Sequence, residues 1–96
     1  MKLYKQITSE RYLDMKKGEN LTTIEIEYLK SISTIITKTK IDNVVHILHK
    51  DMSILVDKLD DEYFVLSIPI SPIKDYYYLC DTFEGVKQLF KNLSFL

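Results

Sequence analysis

Large apolar residues recur with a period of two along residues 63–70, where Phe64, Leu66, Ile68 and Ile70 interleave with Tyr63, Val65, Ser67 and Pro69. Successive side chains of a strand point to opposite faces, so this segment is predicted to be extended. Asp60-Asp61-Glu62 reads as a polar turn ahead of it, and residues 53–58 are placed to be its hairpin mate. Pro69 has no N–H to give to a ladder, so the strand must end near an edge or run into a turn there. Residues 75–80, Asp-Tyr-Tyr-Tyr-Leu-Cys, resume as a further strand.

The period changes to three and four between residues 23 and 38. Ile24, Tyr28, Leu29, Ile32, Ile35 and Ile36 gather on one stripe, opposite Glu27, Lys30, Ser31, Thr34 and Lys38. This predicts an amphipathic helix over 23–38. Its start is marked by a Thr22/Glu25 capping box, with Leu21 and Ile26 as a hydrophobic staple. A shorter helix is predicted from Ser9, read as its N-cap, to the Lys16-Lys17 pair, with Gly18 as the left-handed residue that ends it. The last helix covers 83–92, capped by Asp81 with Glu84 at N3, and its apolar face is Phe83, Val86, Leu89, Phe90 and Leu93. Gly85 costs that helix about 1 kcal/mol relative to Ala, which points to a close backbone approach. Residues 2–7 read as a short strand.

Residues 43–59 fit two patterns. Val45, Leu48, Met52, Leu55 and Leu59 lie on a helical stripe, whereas Val44, Val45, Ile47, Ile54 and Val56 are strand formers. Two strands are preferred because the strand at 63–69 needs a partner; the alternative is a helical hairpin over a smaller sheet. The expected fold is a single α+β domain over 1–96, with N-terminal helices, an antiparallel meander over roughly 43–80, and a C-terminal helix packed on the sheet.

Composition narrows the setting. The chain has 96 residues, 46% of them hydrophobic, enough for a core without covalent staples. It lacks Ala and Trp and carries one Arg against twelve Lys, a bias that fits an AT-rich bacterial, phage or plasmid genome. Cys80 is the only cysteine, so no internal disulfide forms and a reducing cytoplasm is the expected location. The N-terminus lacks the apolar run of a signal peptide, and no stretch approaches the ~20 apolar residues of a membrane helix. Residues 1–50 carry nine Lys/Arg against six Asp/Glu, and residues 51–96 four against eight.

No group of polar side chains reads as a catalytic or cofactor site. His46 and His49 would share a face on a helix but point to opposite sides on a strand, and no cluster completes a metal ligand set. Cys80 sits beside Asp81, whose carboxylate raises a thiol pKa, so a core role outweighs a nucleophilic one. Asp57, Asp60, Asp61 and Glu62 lack the spacing and turn glycine of a calcium loop. With two isolated glycines, no phosphate-binding loop can be built.

The tyrosines at 63, 76, 77 and 78 carry the functional expectation, since tyrosine anchors protein interfaces and also stacks on bases. The acidic character of this half favours a protein partner over nucleic acid. Alternation puts Tyr76 and Tyr78 on one face and Tyr77 on the other; Asp61, Glu62, Tyr63, Tyr76 and Tyr78 are the expected protein-binding residues. The resulting reading is a non-enzymatic protein-binding module, with no cofactor or metal. By compositional analogy alone it is an inhibitor from a phage or mobile element, anti-CRISPR-like in class, that occupies a surface of a basic nucleic-acid-handling host enzyme. The alternative is a small nucleic-acid-binding regulator using Lys2, Lys5, Arg11, Lys16, Lys17, Lys38 and Lys40 as phosphate contacts.

Overall fold

The computed structural model describes residues 1–15, 18–38, 44–59 and 63–93, with the backbone alone at Thr37, Lys38 and Ile70. Its elements are β1 (Tyr4–Ile7), α1 (Ser9–Asp14), α2 (Thr23–Ile32), β2 (Thr34–Lys38), β3 (Val45–His49), β4 (Met52–Lys58), β5 (Phe64–Ser71), β6 (Lys74–Cys80) and α3 (Phe83–Leu93). The strands form one antiparallel sheet in the order β1-β6-β5-β4-β3-β2. Five consecutive strands thus make a meander, and β1 returns to pair with the last of them. The result is a compact α+β domain with a radius of gyration of 12.3 Å. Among the described residues no helix is long and apolar enough to cross a membrane.

The preferred reading of residues 43–59 holds: they form two strands, β3 and β4, joined by a two-residue turn with Lys50 and Asp51 at φ 48° and 66°. Of the residues that read as strand formers, Val45, Ile47, Ile54 and Val56 are fully buried, and Val44, which precedes β3, is half-buried. β5 pairs with β4 from Lys58↔Phe64 to Leu55↔Ser67, and its register against β6 shifts between Pro69 and Ser71. The missing N–H of Pro69 therefore falls beyond the last β4 pair, where a donor is not required.

The helix expected over 23–38 stops at Ile32, and Thr34–Lys38 is a strand instead. Ser33 leaves the helix in an extended conformation, with its hydroxyl donating to the Leu29 carbonyl. The Thr-Ile-Ile-Thr run after it is β-branched throughout, which restricts side-chain rotamers in a helix and packs well on a pleated sheet. The helix start is as expected: Thr22 and Glu25 form the capping box. Glu25 also takes an ion pair from Lys58 of β4, 3.1 Å away, with both side chains only 13% exposed. One carboxylate therefore caps α2 and ties it to the sheet.

Two smaller boundaries also differ. α1 is capped by Thr8, whose hydroxyl accepts from the Arg11 N–H, and not by Ser9; it ends at Asp14, while Gly18 takes the expected positive φ of 123°. α3 begins at Phe83, and the Gly85 N–H is satisfied by Thr82, so Thr82 holds the capping position expected of Asp81.

Helices lie on both faces of the sheet, and on the second face Leu48 of β3 and Ser53 of β4 stay exposed. On the first face α2 and α3 close the main core, formed by Leu29, Val45, Ile47, Ile54, Val56, Phe64, Leu66, Ile68 and Cys80 with Val86, Leu89, Phe90 and Leu93 of α3. On the second, α1 covers a smaller cluster of Leu59, Val65 and Leu79, packed against Ile7, Tyr12, Met15 and Tyr77. Ile24 was expected in the core stripe but is 79% exposed; Ile26 of the staple packs inward instead.

Candidate functional site

The sequence pointed to Asp61, Glu62, Tyr63, Tyr76 and Tyr78 as one surface. Asp61 and Glu62 lie outside the described residues. The other three do not converge. Tyr78 packs edge-on against Tyr4, ring centroids 6.0 Å apart, on the face that α3 covers. Alternation turns Tyr76 to that same face, while Tyr77 stacks on Tyr12 of α1 on the other, at 4.4 Å. Tyr63 precedes β5 at the end where Phe64 faces Cys80, whereas Tyr76 faces Ile68 farther along the same hairpin. Tyr76 and Tyr78 are half-buried, and Tyr63 is 40% exposed.

Tyr63 has neighbours that sequence spacing did not reveal. The Leu59 N–H donates to its carbonyl at 2.7 Å, closing the connection between β4 and β5. With Leu59 it lines a hollow of about 360 Å³ on the α1 side of the sheet, together with Met15, Leu79, Lys5, Arg11 and Asp81. Lys5 arrives there because it pairs with Leu79 across β1 and β6. Arg11 and Met15 are four residues apart, the spacing that puts two side chains of a helical turn on one side. The floor is apolar and the walls are charged, yet none of Lys5, Arg11 and Asp81 is in an ion pair among the described residues.

Other candidate chemistry resolves into structure. His46 and His49 occupy β3 three residues apart and so point to opposite faces. The His46 ring bonds the Ser53 hydroxyl, and His49, 6% exposed, bonds the Ile32 carbonyl through Nδ1 at 2.8 Å. Among the described residues no three His, Cys, Asp or Glu side chains are grouped to hold a metal. Cys80 is fully buried; burial pushes its thiol up to about 12, and the Asp81 carboxylate pushes the same way. Asp57, 1% exposed, accepts from the Tyr12 hydroxyl at 2.9 Å.

No family model, curated protein or solved structure matches the chain.

Proposed function

We propose that the chain is a non-enzymatic protein-binding module that engages its partner at the hollow around Tyr63. The observation that carries this reading is the combination at that hollow: a part-exposed tyrosine, an apolar floor of Met15, Leu59 and Leu79, and charged walls that form no ion pair among the described residues. Interface hot spots have this composition, an aromatic anchor at a desolvated floor with polar groups at the rim. Asp61 and Glu62 immediately precede Tyr63 in the chain, and this acidic sequence suits a partner with basic residues. The narrower reading, an inhibitor from a mobile element acting in the cytoplasm on a nucleic-acid-handling enzyme, rests on size and composition.

Affinity purification of tagged protein from its native host, with mass spectrometry of co-eluting proteins, supplies the partner. Tyr63→Ala is expected to weaken that complex by about tenfold or more without changing the melting temperature. An unchanged affinity at unchanged stability removes the hollow from the interface. The nucleic-acid reading is favoured by one feature, the proximity of Lys2, Lys5 and Arg11 around β1; it requires affinity for DNA or RNA that falls steeply with salt.

A further inference from the structure

We propose that the open edge of β1 is a strand-addition site, which takes an extended acidic segment of a partner protein as a further strand of the sheet. This rests on the protein-binding reading above and adds a second contact, on the β1 edge, to the one proposed around Tyr63.

Among the described residues β1 ends the sheet and pairs with β6 alone. In an antiparallel ladder alternate residues turn their N–H and C=O away from the partner strand, so two of the four residues Tyr4–Ile7 face outward. Exposed edges are ordinarily blunted by short length, charged side chains such as Lys, proline, a bulge or a covering element, and of these β1 has its four-residue length and Lys5. The opposite edge, β2, has such an irregularity, a register shift between Ile35 and Thr37. β1 has no such shift: its register runs unbroken from Tyr4↔Cys80 to Ile7↔Tyr77, and it contains no proline.

The segment is also held in place before anything binds. Gln88 of α3 accepts from the Leu3 N–H at 2.6 Å and donates to the Met1 carbonyl at 2.8 Å. α3 thus fixes the chain entering β1, which lowers the ordering cost of docking.

A strand laid along this edge would send alternate side chains to the two faces of the sheet. A hollow waits on each. On the α3 face, Lys2, Tyr4, Gln6, Tyr78, Leu89 and Asn92 border one of about 230 Å³. On the α1 face, Lys5, Gln6, Ile7, Thr8 and Arg11 border another of about 550 Å³. Backbone pairing with pockets for alternate side chains is the general form of strand-addition recognition. Tyr78 belongs to the first of these hollows, so the tyrosine that alternation singled out joins the edge and not the Tyr63 surface.

Charge selects the occupant. The two hollows contribute Lys2, Lys5 and Arg11 and no carboxylate, and the one carboxylate that shares the adjoining Tyr63 hollow with Lys5 and Arg11 is Asp81, which leaves cations in excess. A segment with Asp or Glu at alternating positions meets a cation on either face, and a basic segment is repelled.

The test is selection of a random octapeptide display library on the folded protein, followed by synthesis of the selected peptides. Expected are sequences with alternating acidic positions, whose binding shifts the amide resonances of residues 4–7. N-methylation of one alternating set of peptide nitrogens should weaken binding about tenfold, as should Lys5→Glu with Arg11→Glu at unchanged melting temperature. Selected peptides that shift residues around Tyr63 and leave residues 4–7 unmoved overturn strand addition while the protein-binding reading stands. Failure to select any peptide overturns strand addition. If, in addition, a single-stranded oligonucleotide binds at Lys2, Lys5 and Arg11 with steep salt dependence, both readings fall.

Discussion

Gly85 of α3 lies directly against the Leu3 carbonyl: a Cβ added to it would come within 3.0 Å of that oxygen, closer than real Cβ atoms approach, and 3.2 Å from the Cys80 Cβ. The absent side chain is therefore what lets α3 sit on the start of β1. Two effects oppose each other in Gly85→Ala. Helix propensity gains about 1 kcal/mol, while overpacking against backbone that cannot rotate away costs about 1–3 kcal/mol. The clash is with the Leu3 main chain, and the buried Cys80 Cβ closes the other side, so the variant is expected to be less stable. A thermal melt showing equal or higher stability would place Leu3 farther from α3 than described.

Tyr12 and Asp57 join α1 to the centre of the sheet across 45 positions of sequence. Tyr12→Phe keeps the stack on Tyr77 and removes only the hydroxyl that donates to the buried carboxyl. A loss of about 1–2 kcal/mol is expected in urea unfolding, because a hydrogen bond to a buried acceptor is costly to leave unmade. A double-mutant cycle with Asp57→Ala, which removes the acceptor, should give a coupling of at least about 0.5 kcal/mol; additivity would show that the two side chains act independently.

The elements that sequence made legible are those with purely local causes. The Thr22/Glu25 box needs only neighbours three apart, and the recurrence of Phe64, Leu66 and Ile68 needs only the main core on one side of the strand, whatever Val65 and Ser67 meet on the other. The strand at Thr34–Lys38 was hidden because Ile32 and Ile35 also satisfy helical spacing, and only pairing with β3 decides between the two. The Tyr63 hollow was half legible. The tyrosine stood out as an exposed aromatic candidate, but Lys5 reaches it through a β1–β6 pairing more than seventy residues distant, which no local pattern encodes.

The β3–β4 turn holds two non-glycine residues, Lys50 and Asp51, in the left-handed region. Two-residue hairpin loops of this kind favour Asn-Gly, because left-handed backbone strains a side chain with a Cβ. Lys50→Asn with Asp51→Gly is expected to stabilise the protein by about 1 kcal/mol, read as a higher melting temperature. A lower one would show that the present side chains hold the turn more strongly than its backbone geometry opposes it.

Cys80 gives the fold an alkaline limit. Its thiol titrates near 9.0 when exposed and near 12 when folded, through burial first and the Asp81 carboxylate second. Between those values the unfolded chain has released a proton that the folded chain keeps. Its contribution to stability is therefore complete below pH 9 and lost as pH rises toward 12, with a slope approaching ~1.4 kcal/mol per pH unit. Tyr28, raised by burial and then Glu84, and Tyr78, raised by burial and then Tyr4 and Tyr76, push in the same direction at higher pH. Cys80→Ala retains both tyrosines, so subtracting its urea-unfolding profile from that of the parent isolates the thiol. The parent should lose stability more steeply than the variant between pH 9 and 11, and its thiol should stay inert to a disulfide reagent at pH 8 until the chain unfolds. Parallel pH profiles with rapid labelling of the native protein would mean that the Cys80 thiol is reachable by solvent, and that the packing of α3 over the end of β6 is looser than the buried cluster requires.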